Sequence, residues 1–199
     1  MNLSNIRDLV SLFNNGPVTP GVFASAYTGA ELKLFAIRYS EGNMESLGKF
    51  RVTKGNDTPP LYVSEGMATL PTDYFAFESA YHFVDNEPVL VNFVNDKMFD
   101  VLQAHAIEYP TMDYPIGNIQ GDYVRVRPKA LKFIVFTYLT KPVPCVYATT
   151  DTEGYQQFDE ANSTTVKWYE NDVPHLVQFI LQSLGVQTSI NDITQKLKQ

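Results

Sequence analysis

Leu131-Lys132-Phe133-Ile134-Val135-Phe136-Thr137-Tyr138-Leu139 is the stretch on which the fold turns. Phe133, Val135 and Thr137 alternate with Lys132, Ile134, Phe136 and Tyr138, so both faces are largely apolar. Aromatic and β-branched residues suit a pleated strand. A strand apolar on both faces belongs inside a sheet rather than at its edge. Lys141-Pro142-Val143-Pro144 ends it, and residues 145–148 read as one further strand. On the N-terminal side, Gly121-Asp122 precedes a strand over Tyr123–Arg127, which Pro128 stops. Tyr109-Pro110-Thr111 and Tyr114-Pro115-Ile116 are aromatic–proline turns. Proline holds the residue before it in extended geometry, so this is an ordered, non-helical connection.

Period-two patterning continues at 70–94. Phe75, Phe77, Tyr81 and Phe83 share one face, with Glu78 and His82 on the other. Leu70-Pro71-Thr72-Asp73 resembles a helix start, but aromatic density favours a strand. Residues 88–94 form a second short strand. Residues 96–106 fit a helix capped by Asp96, with Phe99, Leu102 and Ala106 in register. Residues 40–69 hold Gly42, Gly48, Gly55, Pro59, Pro60 and Gly66 and lack sustained periodicity. They read as an extended arm or hairpin loop, with short strands at 50–52 and 61–63.

The ends of the chain are helical. Residues 4–14 carry Ile6, Leu9, Val10 and Phe13 at helical spacing behind a Ser4 cap. Thr19 caps a second helix with Pro20 at its first position, where the missing N–H costs nothing. Phe23, Ala26, Tyr27, Ala30, Leu34 and Ile37 make its apolar stripe, and Glu31, Lys33 and Arg38 are set off it. At about 20 residues this helix is a rod of roughly 30 Å. Residues 149–165 are polar and acidic. Asp172 and Pro174 open a further helix with Leu176, Val177, Ile180, Leu181 and Leu184 on one face, and Gly185 stops it. Ser189-Ile190-Asn191-Asp192 starts a terminal helix through Leu197. The expected fold is α+β in a single domain, 1–199. A helical hairpin (1–39), the arm (40–69), a β-rich core (70–148) and an acidic loop with C-terminal helices (149–199) make it up. The helices pack on a mixed or antiparallel sheet.

Composition narrows the function. The 199 residues and 22.5 kDa suffice for a core without metal or disulfide. One cysteine, Cys145, excludes an intramolecular disulfide and a multi-cysteine metal site. A net charge of −7 argues against a surface wrapped wholly around nucleic acid. No apolar run reaches the length of a membrane span, and MNLSNIRDLV has no secretory pattern. The 13 Phe and 12 Tyr against one Trp fit a mixed α/β core first, and an extensive contact surface second.

Catalytic patterns are missing: no phosphate-binding glycine loop, zinc-protease motif, nucleophile elbow or calcium loop occurs. His82, His105 and His175 fall on different elements and read as surface or capping histidines. Cys145, between Pro144 and Val146, reads as a small buried hydrophobe. No catalytic residue, cofactor or metal is implied. Two charged sets remain as interaction candidates. Arg125, Arg127, Lys129 and Lys132 are the most localised cations, with the two arginines on one face of a strand. They suit phosphates, acidic protein loops or a solvated sheet edge. Asp151, Glu153, Asp159 and Glu160 form an acidic loop that suits solvent or a basic partner.

The order of landmarks carries a resemblance. The N-terminal helix and the Thr19-Pro20 helix with Ala26, Leu32 and Phe35 come first. Leu70-Pro71-Thr72-Asp73-Tyr74 and Tyr109-Pro110-Thr111-Met112-Asp113-Tyr114-Pro115 come next. The run from Leu131 to Pro142 and the helix through Leu184-Gly185-Val186 complete the series. Across most of its length the chain resembles neck proteins of tailed bacteriophages, closest to those of crAss-like and related phages that form stacked rings below the portal. The resemblance implies a non-enzymatic virion component, assembled in the host cytoplasm. It would form a ring, commonly of twelve copies, that joins portal to tail and lines the DNA exit channel without reading DNA sequence or touching a membrane. Partners would be copies of itself, the portal and other ring or tail proteins. The 40–69 segment matches nothing in that family. Other readings are a different tail or head-completion protein, a monomeric carbohydrate- or peptide-binding module, and an enzyme with an unrecognised site.

Overall fold

The structure is a computed structural model and describes residues 1–55, 58–105, 109–152 and 155–198. In chain order the elements are α1 (Leu3–Phe13), α2 (Pro20–Ser40), β1 (Arg51–Lys54), β2 (Leu61–Tyr62), β3 (Met67–Thr69), β4 (Tyr74–Val84), β5 (Glu87–Leu90) and β6 (Asn92–Phe93). They continue with α3 (Asp96–Ala104), β7 (Ile116–Gln120), β8 (Tyr123–Arg127), β9 (Phe133–Thr140), β10 (Thr149–Thr152), β11 (Tyr155–Phe158), α4 (Val173–Ser183) and α5 (Ile190–Leu197). The fold is α+β. It has two compact units: the chain's two ends (1–50 and 142 onward) build one, and Arg51–Lys141 builds the other.

The terminal unit is helical. Helix α2 packs along α4, and α1 and α5 also pack on α4. Leu3, Ile6 and Val10 of α1, Phe23, Leu34 and Phe35 of α2, and Leu176, Val177, Ile180 and Leu181 of α4 are buried. These are the stripes that helical spacing defines. Phe50 fills the end of this core, edge-on to Phe35 and to Trp168 at 5.1 Å each. The caps differ from expectation in detail. Asn2, not Ser4, caps α1, because Asn2 and Asn5 each accept the other's backbone N–H. Asn95, not Asp96, caps α3 by accepting from the Met98 N–H at 2.9 Å. The 149–165 stretch, expected as a loop, contains the β10–β11 hairpin, which pairs with no further strand among the described residues. Residues 145–148 form no strand; the Cys145 N–H donates to Thr28 Oγ1 instead.

The central unit is built from two sheets. One runs β1-β9-β4-β5, with β2 also on β9; the other runs β3-β8-β7-β6. All pairs are antiparallel except β6–β7. Ala80, Ile134, Phe136 and Tyr138 from the first sheet pack with Ala68, Val124 and Val126 from the second. Hydrophobic area removed from water on both faces at β9 is the main stabilising term, at about 25 cal/mol per Å². The expected arm at 40–69 is not an arm. Arg51–Lys54 and Leu61–Tyr62 pair with β9, Met67–Thr69 pairs with β8, and Val63 and Ala68 are buried. The short strands expected at 50–52 and 61–63 are present, but segments of two to four residues are too short for period two to show that they pair into the sheets.

Strand β4 corrects the expected facing of its aromatics. Register shifts lie between Tyr74 and Ala76 and between Phe77 and Ser79. Each bulge inserts a residue and reverses the facing of the residues beyond it. Phe77 therefore packs inward, stacked on Phe93 at 4.0 Å, while Ala80 and His82 point inward and Phe83 outward. Two tight turns close hairpins. Asp85 and Asn86 both have positive φ, as a two-residue turn between β4 and β5 requires. Gly66 has φ +78 and lies so close to β8 that a Cβ would sit 2.8 Å from the Val126 carbonyl oxygen. Gly121 has φ +59 with open space around it. Gly66→Ala is expected to lower unfolding free energy by about 2–4 kcal/mol in urea titration, from backbone strain plus collision. Gly121→Ala, with strain alone, should lose only about 1 kcal/mol.

Candidate functional site

The cation set is divided. Arg125 and Arg127 do share a face of β8, but both turn onto the buried ring of Phe99 in α3, at 4.4 and 5.5 Å. Arg125 also pairs with Asp100 at 2.9 Å and donates to Gln120 Oε1 at 3.1 Å. Arg127 donates to the Val126 carbonyl at 2.8 Å. Their charge is used to cover Phe99 and to hold α3 on the sheet. Lys129 and Lys132 are exposed and form no ion pair among the described residues. The sequence could not reveal this division, since Phe99 lies more than 20 residues away.

The acidic set is divided as well. Asp151 on β10 and Glu160 are exposed. Asp159 is held in its own turn, accepting from the Asn162 backbone N–H at 3.2 Å and side-chain amide at 2.7 Å; these bonds hold its carboxyl below the usual range. Glu153 lies outside the described residues.

Another surface emerges from strand register. Tyr62 is directly opposite Phe133 across β2–β9. Tyr81 is opposite Val135 on one side and Leu90 on the other, and Phe83 is opposite Pro88. Residues two apart on a strand share a face, so these side chains all lie on the face of the first sheet away from its core. Their exposure is 72% at Tyr62, 66% at Leu90, 44% at Phe83 and 40% at Phe133. Isolated exposed apolar residues are ordinary; an aromatic-rich set spread over neighbouring strands is a candidate contact surface. The two β4 bulges turn Phe77 inward and leave Tyr81 and Phe83 on this outer face, a split that alternation alone does not show.

Titratable groups elsewhere are mostly structural. His82, expected at the surface, is buried, with Nε2 2.7 Å from the Met112 carbonyl oxygen. Burial pushes the Cys145 thiol up to about 12, with Glu31 adding to it, so no thiolate nucleophile is present near neutral pH. Tyr138 donates to Asp73 at 2.9 Å. Glu31, set off the α2 stripe on grounds of charge, is instead 3% exposed within the core. In the helical unit Arg38, Asn43, Glu45, Ser46, Tyr169, Asn171 and Asp172 line a polar cleft of about 470 Å³. Arg38 there is already bound to Asp172 and Glu41, at 2.9 Å each. No group of three metal-ligating side chains occurs among the described residues, and no helix among them is long and apolar enough to cross a membrane.

Arg125→Glu should cost about 1–3 kcal/mol of stability in urea unfolding, because it places a carboxylate on Phe99 beside Asp100. Lys129→Glu and Lys132→Glu should stay within about 0.5 kcal/mol. Equal losses at all four cations would contradict the division. Compared with known proteins, the chain matches no family model and no curated protein sequence.

Proposed function

We propose that the chain is a virion structural protein of a tailed bacteriophage, a subunit of a ring in the portal–tail connector that joins head to tail and lines the DNA exit channel. The observation that carries the assembly half of this reading is the aromatic sheet face of Tyr62, Phe133, Phe83 and Leu90, open to solvent in the single chain. A ring subunit needs surfaces that a rotated copy or an adjoining particle part covers. Large rigid aromatics supply contact area at low entropic cost. The phage assignment itself rests on the order of sequence landmarks. Exposed Asp151 and Glu160 suit a channel wall that repels DNA and lets it slide.

A second reading has one observation in its favour. The polar cleft with Asn43, Ser46, Tyr169 and Asn171 has the hydrogen-bonding character of a carbohydrate- or peptide-binding module. Light scattering separates the two. The connector reading expects the purified chain, alone or mixed with portal protein, to form a ring-sized species. Phe83→Asp with Leu90→Asp should abolish that species while leaving the circular dichroism spectrum unchanged. A stable monomer indifferent to portal would overturn the connector reading and favour the module.

A further inference from the structure

Buried carboxyl groups without an ion pair are rare, because taking charge out of water is costly. Glu31 is such a group. It sits on α2 one turn after Tyr27 and one turn before Leu34, and all three are buried. No cation lies within salt-bridge distance of it among the described residues. Two buried donors lie against it, Tyr27 Oη and Trp168 Nε1; both act on the carboxyl as hydrogen-bond donors, though neither reaches good hydrogen-bond geometry with any acceptor among the described residues. Both groups still influence the carboxyl, favouring its charged form, as does Lys167 at longer range. The cations of this cluster are engaged elsewhere: Lys167 Nζ lies over the Phe50 ring at 5.4 Å, and Lys49 Nζ donates to the Trp168 carbonyl at 3.1 Å.

We propose that Glu31 is a pH-sensitive switch in the core of the helical unit, neutral in the packing seen here and, once ionised, able to draw Lys167 from Phe50 and re-seat Trp168. The titratable groups acting on it are Tyr27 from α2, Cys145 from the 142–148 segment and Lys167 from the segment before α4. Neither Tyr27 nor Cys145 carries charge near neutral pH, since burial pushes both upward. Lys167 is therefore the charged group that acts on the Glu31 carboxyl, while Lys49 is held by the Trp168 carbonyl.

Burial raises the Glu31 carboxyl from 4.5 to about 7, against the opposing pull of Trp168, Lys167 and Tyr27. The folded unit then holds a proton that the unfolded chain has released. Its stabilising effect is fully present below about pH 4.5 and is lost as pH rises through about 7. The unfolding equilibrium should shift on the order of a hundredfold across that interval. Above it, the ionised carboxylate faces a choice between an unpaired buried charge and a new pair with Lys167, so the switch has two packings.

Trp168 is the only tryptophan in the chain and reports directly on this cluster. Its fluorescence in the intact protein, titrated from about pH 5 to 9, is expected to show a transition near 7 that vanishes in Glu31→Gln. Lys167→Met should move the midpoint upward by about one pH unit, because Lys167 favours the charged carboxylate. That second variant decides the matter if Glu31→Gln folds poorly. A wild-type spectrum flat across this range overturns the proposal, and so does a transition that persists unchanged in Glu31→Gln. A midpoint unmoved by Lys167→Met also overturns it.

Discussion

Strand β9 is enclosed on both of its faces over most of its length, and along both of its edges. Ile134, Val135, Phe136, Tyr138 and Leu139 are all buried, and β1, β2 and β4 are hydrogen-bonded to it. Backbone groups removed from water must find partners. Burying this strand therefore obliges three other segments to lie beside it, two of them short pieces between residues 51 and 62. The even-numbered side chains of β9 then fix the sandwich core, and the odd-numbered ones fix which neighbours face outward. The exposed aromatic set is a consequence of this arrangement.

Charge in the central unit is largely committed to internal work. Arg125 and Arg127 cover Phe99, and Arg51 pairs with Glu78. In the helical unit, Arg38 is held by Asp172 and Glu41. Among the side chains that face solvent are the sheet aromatics with Lys129 and Lys132 in the central unit, and the acidic Asp151 and Glu160 in the helical unit. The exposed sheet aromatics are what supports the assembly role proposed above.

Much of the fold is legible in the sequence because long elements carry their own period. The β9 run, the α2 and α4 stripes, Pro20 at a helix start and Gly185 at a helix end are all readable this way. The short strands at Arg51–Lys54 and Leu61–Tyr62 are legible in place but not in their pairing, because two to four residues are too few for alternation to show a face. The facing of β4 escapes the pattern since bulges leave no compositional trace. Charge alone sets Glu31 off the α2 stripe, although its spacing from Tyr27 and Leu34 puts it on the buried side. Of the candidate interface, the local charges are visible but their partners are not: Phe99 and Asp100 meet Arg125 only through tertiary folding. Cross-strand neighbours such as Tyr62 and Phe133 depend on a register that no local pattern encodes.

The central claim is that the outward face of the first sheet is covered when the chain is at work. Hydroxyl-radical footprinting of the dilute chain against its assembled form tests this most directly. Strong labelling of Tyr62, Phe83, Leu90 and Phe133 in the dilute chain, falling several-fold on assembly, is the predicted result. Equal labelling of those four side chains in both states would contradict the claim.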